Sequence, residues 1–195
     1  MSKKIFYFAF VAIAIAGMST MTTSCKKGEN DPGLSLKSRM ARITGEWELT
    51  EGTNTNTNAS GGVSFTSTTT YNGSTATTST GGSFQYTETL TMEKDGTYEV
   101  AIMDDGDSYT ITGVWFFAGK IKDLDLKNKE AVMFTPQTYS EVGYSETYNG
   151  LYGGGDIMII DQLKNKEIIF KGAYSYSGGG GSTSSSTYDR TFEKQ

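Results

Sequence analysis

The chain contains no histidine, one cysteine and two prolines among its 195 residues. Histidine is the general base in Ser-His-Asp and Cys-His catalysis and the commonest zinc ligand, so its absence excludes these mechanisms and weakens any zinc-site hypothesis. Carboxylate chemistry remains open to an enzyme, yet no pair of carboxylates stands out by its spacing. We therefore expect no catalytic activity, unless a cleft brings two carboxylates face to face.

Clustered basic residues are also lacking. The formal net charge is −5, and it falls to −7 without residues 1–24, which hold two lysines and no acidic residue. Nucleic-acid binding requires clustered Lys and Arg, so we expect no such partner. Asp104, Asp105 and Asp107 surround Gly106, but this spacing is typical of a polar turn and does not match a calcium loop. We expect no cofactor and no metal.

The N-terminal residues carry the pattern of a secretory signal. Lys3 and Lys4 precede an apolar run at 5–18, which is shorter than the roughly 20 residues that span a bilayer. Small and polar residues follow at 19–24, as a cleavage zone requires, and Cys25 comes next. This spacing resembles the lipobox of bacterial lipoproteins, so we predict a lipoprotein-type signal peptide at 1–24.

Cys25 is the predicted site of lipidation. A lone cysteine in an exported chain cannot pair within that chain, and acylation removes the reactive thiol. The alternatives are a free thiol after an ordinary signal peptide or an uncleaved membrane segment. Two or more acyl chains anchor a protein stably. We therefore expect a cell-envelope protein, held on the outer membrane at either face, with residues 25–35 as the lipidated cysteine and a flexible tether.

Residues 36–195 have the composition of one all-β domain. The chain holds 24 glycines and is rich in Thr, Ser and Tyr, which favours strands and turns over helices. Leu36, Met40 and Ile43 recur at helical spacing and predict a short helix before the first strand. Trp47 and Leu49 then alternate with polar residues and predict a half-buried strand.

Residues 52–87 contain no charged side chain and allow two interpretations. The polar, low-complexity composition is compatible with disorder. The alternative, which we favour, is a long hairpin with strands at about 62–71 and 83–93 and a turn at Asn72-Gly73, a strong turn signal. An uncharged Thr-rich edge of this kind also pairs readily with other chains.

The residues that follow alternate between apolar and polar side chains at hairpin spacing. One predicted face carries Tyr86, Glu88 and Leu90, a second carries Tyr98, Val100 and Ile102, and a third begins with Tyr109 and Ile111. The chain contains eight to ten such short strands, which indicates an antiparallel meander in a barrel or sandwich. A closed or nearly closed barrel is favoured because closure leaves no exposed edge.

Gly45-Glu46-Trp47, directly after the predicted helix, resembles the G-x-W signature of lipocalins. In that family an arginine near the last strand packs over the tryptophan and closes the barrel. The resemblance implies this role for Gly45, Trp47 and Arg190, with a cation–π interaction between the two side chains. Together with the Cys25 motif, the layout resembles lipocalin-like domain lipoproteins of Bacteroidota. The alternative is that the tryptophans are core residues of an unrelated β-fold.

Tyrosines supply the candidate ligand contacts, because aromatic side chains at a barrel mouth stack on sugars or hold apolar molecules. The candidates are Tyr139, Tyr144, Tyr148, Tyr174 and Tyr176. Tyrosine is equally an ordinary residue of barrel walls. The expected function is a non-catalytic envelope lipoprotein that binds a small apolar ligand or a glycan. The alternative is an interaction module that binds another envelope protein through the Thr-rich hairpin.

Overall fold

The computed structural model describes residues 37–118, 130–148, 156–178 and 182–195. A short helix, α1 (Arg39–Ile43), precedes all the strands. The strands are β1 (Gly45–Ser60), β2 (Val63–Tyr71), β3 (Thr75–Thr78), β4 (Ser83–Met92), β5 (Thr97–Asp104), β6 (Asp107–Ala118), β7 (Glu130–Glu141), β8 (Tyr144–Thr147), β9 (Asp156–Leu163), β10 (Glu167–Ser177) and β11 (Thr183–Lys194). The predicted signal peptide, Cys25 and the whole predicted tether lie outside the described residues.

The strands form a closed antiparallel barrel of ten strands, with β8 as an additional strand on β7. Sequential strands pair in hairpins, β6 pairs with β7, and β1 closes the ring by pairing with β11. The prediction of an all-β antiparallel barrel with a short N-terminal helix is confirmed. In the described part of the chain, no helix is long and apolar enough to cross a membrane.

The number of strands around the barrel changes along its axis. Near α1, β1 pairs with β4 from Gly45–Met92 to Glu48–Thr89, so the ring there consists of β1, β4, β5, β6, β7, β9, β10 and β11. From Gly52 onwards β1 pairs with β2 instead, and β2 and β3 are inserted between β1 and β4. A barrel widens as strands are added, so this insertion widens the end remote from α1.

A β-bulge in β1 marks the transition between the two regions. The register with β11 shifts between Leu49 and Glu51, so that Leu49 lies opposite Phe192 and Gly52 opposite Arg190. A bulge reverses which residues of a strand face inward. Below the bulge Trp47 and Leu49 face the core, and above it the asparagines of the Thr-Asn repeat, such as Asn54, take the inward face.

The narrow end of the barrel is filled by apolar side chains. Ile43, Trp47, Leu49, Met92, Leu163 and Ile168 are completely buried there. The Trp47 indole N–H donates a hydrogen bond to the Ile43 carbonyl over 2.8 Å, which ties α1 across this end. The core role predicted for Trp47 therefore matches its position.

The predicted partner of Trp47 needs a correction. The cation over its ring is the Lys194 ammonium, 4.9 Å from the ring centroid, which also donates to the Thr44 carbonyl. The reason is the register, because Lys194 is the residue paired with Trp47 across β1 and β11. Arg190 lies further along the barrel, with its guanidinium 4.5 Å from the Tyr71 ring centroid.

Residues 52–87 form ordered strands. β2 and β4 match the two predicted strands, β3 lies between them, and Asn72 caps the β2–β3 turn by accepting from the Thr75 N–H over 3.1 Å. β1 continues to Ser60, and its residues 52–60 pair with the whole length of β2. Threonine hydroxyls link these strands in pairs at 3.0 Å, Thr55 to Thr68 and Thr57 to Thr66.

Candidate ligand-binding cavity

A cavity of about 380 Å³ occupies the barrel above the packed end. Every barrel strand except β3 contributes to its wall. The contributing residues alternate along each strand, as in Val100, Ile102 and Asp104 of β5, because alternate side chains of a barrel strand face the interior. The volume lies within the range that holds small-molecule ligands.

The wall changes from apolar to polar along the strands. Its deeper part is lined by Leu90, Val100, Ile111, Phe134, Phe170 and Phe192. Towards the wide end β4, β5, β6, β9 and β11 supply Tyr86, Glu88, Asp104, Tyr109, Asp156 and Tyr188. β4, for example, runs from Leu90 through Glu88 to Tyr86, and β9 from Met158 to Asp156. The cavity therefore has an apolar floor and a polar, largely acidic mouth.

Arg190 and Glu88 form an ion pair inside the cavity wall. Their side chains are 17% and 12% exposed. The Tyr86 hydroxyl donates to the same Glu88 oxygen over 2.7 Å, and the Arg190 guanidinium stacks on Tyr71. Burial disfavours the charged form of Arg190, but the Glu88 carboxylate together with Tyr86 and Tyr71 outweighs this effect, so the pKa of the guanidinium is raised. The guanidinium is therefore charged at all ordinary pH values and is already satisfied by this network.

Two further carboxylates at the mouth have no such partner. Within the described residues, neither Asp104 nor Asp156 forms an ion pair with Lys or Arg. Asp156 is an exposed residue at the start of β9, and partial desolvation of its carboxyl group raises its pKa. Burial, followed by the Asp156 charge, also raises the pKa values of Tyr98 and Tyr188 to about 12. The described wall thus carries three carboxylates against one guanidinium.

Glycine at position 172 makes room for one of the wall residues. A Cβ atom at Gly172 would lie 2.0 Å from the Tyr188 ring, which covers this position from the neighbouring strand. Contacts this close do not occur between non-bonded atoms, so a larger residue would displace Tyr188 from the wall. Gly172 therefore helps to set the shape of the mouth.

The structure places Tyr139 and Tyr144 beside the cavity. Tyr139 lies opposite Ile111, and its ring centroid is 5.6 Å from that of Tyr109 in the cavity wall. Tyr144 packs 6.3 Å from Tyr139. The two hydroxyls donate to Glu141 and Glu146 respectively. These tyrosines extend the wall outward from Tyr109.

Tyr174 and Tyr176 lie above the mouth. They share an inward face with Phe170 on β10, are 57% and 59% exposed, and belong to the part of the sheet that extends beyond the barrel. Tyr148 follows β8, and its backbone N–H donates to the Gln137 carbonyl over 2.7 Å.

The sequence predicted tyrosines as the candidate ligand contacts, and tyrosines do line the cavity, but they are different tyrosines from the five that were predicted. The tyrosines of the cavity wall are Tyr71, Tyr86, Tyr98, Tyr109 and Tyr188, and the five predicted tyrosines are not among the described residues that line it. Alternation with apolar residues placed Tyr86, Tyr98 and Tyr109 on strand faces, and those faces turn out to be the inward ones. Local clustering of tyrosines was the weaker signal, because the clustered tyrosines lie towards strand ends, beside or above the cavity.

Comparison of the chain with protein-family models, with curated proteins and with solved structures finds no match. Among the described residues, no group of three or more Asp, Glu, Cys or His side chains is arranged to hold a metal ion.

Proposed function

We propose that this protein is a non-catalytic, lipid-anchored protein of the cell envelope whose barrel binds a small molecule with an apolar body. The observation that supports this most directly is the cavity of about 380 Å³ with its apolar floor and polar mouth. Ligand sites in proteins share this construction, in which apolar walls supply affinity and a few polar groups fix orientation. A barrel whose interior is needed only for stability is filled by its own side chains.

The anchoring part of the proposal is supported by the N-terminal sequence. Lys3, Lys4, the apolar run at 5–18 and the position of Cys25 agree with a lipoprotein signal. Outer-membrane attachment, at either face, follows from the resemblance to envelope lipoproteins. Acyl chains on Cys25 hold the barrel at the bilayer, so that the cavity samples molecules close to the membrane.

Binding is tested with N-phenyl-1-naphthylamine, an uncharged aromatic probe whose fluorescence rises in apolar surroundings. Ile102→Phe adds volume inside the cavity, whereas Met103→Phe adds a ring at the next position of the same strand, which faces outward. We expect saturable binding to the wild type and to Met103→Phe, and binding at least about fivefold weaker to Ile102→Phe. Equal binding by both variants, or no saturable binding to any protein, contradicts the proposal.

A second candidate function is docking to another envelope protein. It is favoured by exposed apolar side chains on the sheet that extends beyond the barrel, where Val63 and Phe65 are 73% and 56% exposed near Tyr176. Exposed apolar groups that lie together mark interaction surfaces. Crosslinking in intact cells tests this function, with Phe65→Ser expected to remove the crosslinked partner and Ile102→Phe expected to retain it.

A further inference from the structure

We propose that the ligand is a small organic cation, with an ammonium or guanidinium group among the carboxylates and tyrosines of the mouth and an apolar body on the cavity floor. This inference rests on the proposed binding function and names the chemical class of its ligand. It is carried by three independent features of the cavity: its charge, its aromatic faces and the order of polar and apolar residues along each strand.

The charge of the cavity favours a cation. Among the described residues, Glu88, Asp104 and Asp156 line it together with one cation, Arg190. Because Arg190 is neutralised by Glu88, the charge left over comes from Asp104 on β5 and Asp156 on β9. Two carboxylates that form no ion pair within the described residues, in a partly desolvated site, attract a ligand of opposite charge and repel an anion.

Two charged residues next to the mouth, Glu141 and Glu146, are also negative. Glu141 lies opposite Tyr109 across β6 and β7, and Glu146 lies opposite Tyr139 on β8. The acid-rich sequence, with a net charge of −5, adds no competing positive field. Charge of one sign around a cleft raises the local concentration of the oppositely charged ligand.

The aromatic composition of the wall suits a cation as well. Tyr71, Tyr86, Tyr98, Tyr109 and Tyr188 all line the cavity. A cation over the face of an aromatic ring gains about 0.5–2 kcal/mol, and aromatic cages are the usual protein receptors for quaternary ammonium groups. The chain already uses this interaction within the cavity wall, where the Arg190 guanidinium covers one face of Tyr71 at 4.5 Å.

The order of residues along the strands sets the orientation of the ligand. On β5 the apolar Val100 and Ile102 lie below Asp104, and on β9 Met158 lies below Asp156. A ligand with an apolar body and a cationic end therefore fits when its body enters first. The body then contacts the apolar floor, and the cationic end lies beside the carboxylates of the mouth. An amphiphile with an anionic end would place its charge beside Asp104 and Asp156, or would have to displace Glu88 from Arg190.

Three probes of similar shape test the inference by calorimetry and by displacement of N-phenyl-1-naphthylamine from the purified full-length protein. They are phenyltrimethylammonium, its uncharged isostere tert-butylbenzene, and benzoate. We expect phenyltrimethylammonium to bind about tenfold or more tightly than tert-butylbenzene, and benzoate to bind most weakly. Raising the salt concentration weakens binding of the cation more than that of the neutral probe.

Variants that remove the charges of Asp104 and Asp156 test whether these two carboxylates bind the cationic group. Asp104→Asn combined with Asp156→Asn is expected to reduce the affinity for phenyltrimethylammonium about tenfold and to change that for tert-butylbenzene less than about twofold. Glu99→Gln is the matched control, because it removes one negative charge from the outward face of β5, the strand that carries Asp104. This control is expected to leave both affinities within about twofold of the wild type.

The possible outcomes separate this inference from the proposed function. Equal affinity for the cation and its neutral isostere, or tighter binding of benzoate, overturns the cation inference while the cavity remains a binding site. Binding of none of the probes, including N-phenyl-1-naphthylamine, overturns the proposed function and the inference together. An equal loss of cation affinity in Glu99→Gln and in the double variant shows a general charge effect and contradicts the assignment to the mouth.

Discussion

The ion pair between Arg190 and Glu88 is the most consequential single contact in the cavity wall. Removing the cation leaves the Glu88 carboxylate 12% exposed with only the Tyr86 hydroxyl as a partner. We expect Arg190→Met to lower the free energy of unfolding by about 3 kcal/mol, since breaking a buried pair leaves an uncompensated charge. Urea denaturation at neutral pH measures this change.

Two comparisons make that prediction specific. The double variant Arg190→Met/Glu88→Leu removes both charges and should recover most of the lost stability. Lys171→Met is the control, because Lys171 pairs with Asp161 over 3.0 Å on the surface and is 46% exposed, so its loss costs less than about 1 kcal/mol. Similar losses for Arg190→Met and Lys171→Met would contradict the account.

Asp156 predicts a pH dependence of stability. Partial desolvation raises the pKa of its carboxyl group above the ordinary value of 3.8. The charged form is therefore less favourable in the folded than in the unfolded state, so ionisation of Asp156 lowers stability as the pH rises through this range. Tyr98 and Tyr188, which face it, stay protonated because their pKa values are about 12, and Arg190 stays charged.

We therefore expect Asp156→Asn to be more stable than the wild type at about pH 7, with a difference that shrinks towards about pH 3. Urea denaturation across this range measures the difference. Glu99→Gln, at an exposed position of the outward face of β5, is the control and is expected to show little pH-dependent change. A wild type more stable than Asp156→Asn at neutral pH would show that Asp156 has a stabilising partner.

Cys25 carries the prediction about membrane attachment. Cys25→Ser removes the thiol that accepts the acyl group, and we expect the variant to leave the membrane fraction and to lose labelling by radioactive palmitate. Ser24→Ala keeps the thiol and is expected to retain both. Membrane association of Cys25→Ser equal to that of Ser24→Ala would show that another feature anchors the chain.

Trp47 and Arg190 show how far sequence reasoning reaches at single residues. Trp47 was predictable because it heads an alternating strand after a short helix. Its cationic partner was not, because a bulge between Leu49 and Glu51 and the pairing of β1 with β11 decide that Lys194 lies opposite Trp47. Arg190, expected over Trp47, instead neutralises Glu88 in the cavity.

At the scale of secondary structure, the β1–β2 hairpin separates the two candidate functions. A shortened variant lacks residues 57–60 and 63–66. Its Gly61-Gly62 turn then joins Asn56 directly to Ser67, two residues that are already paired across the hairpin. The removed segment contributes no cavity-lining residue. We expect a stability loss of about 1 kcal/mol or less and unchanged affinity for N-phenyl-1-naphthylamine, with loss of any partner crosslinked through Phe65.

Tyr71→Ala supplies the comparison for that deletion. Tyr71 belongs to the same strand as the deleted residues but lies in the cavity wall, so its truncation is expected to weaken probe binding. Probe affinity reduced equally by the deletion and by Tyr71→Ala would show that the protruding hairpin forms part of the small-molecule site.

The elements themselves were predictable to different degrees. β4, β5 and β6 alternate apolar and polar residues and are joined to one another by Gly-containing turns, so their positions follow from the sequence. The upper half of β1 consists of alternating Thr and Asn, without apolar residues to mark an inward face. This part of β1 is held as a strand because it pairs with β2 on one side and with β11 on the other. That pairing exists only in the assembled sheet.

At the scale of the whole molecule, barrel closure was predictable but the cavity was not. The number of strands and their hairpin spacing indicate a closed antiparallel barrel. The space inside depends on where β2 and β3 enter between β1 and β4, and therefore on the change from β1–β4 pairing to β1–β2 pairing. Neither pairing has a signature in the local sequence. The insertion of β2 and β3 between β1 and β4 therefore distinguishes the open end of the barrel from the packed end.

Native mass spectrometry of the protein purified from its own membranes tests the central claim, that the barrel holds a small molecule. The account predicts an additional small mass on the wild type and on Met103→Phe, released on unfolding and absent from Ile102→Phe. The elemental composition obtained from its accurate mass after release shows whether it can carry an ammonium or guanidinium group. A wild type that carries no such mass, or a mass retained equally by Ile102→Phe, would contradict the account.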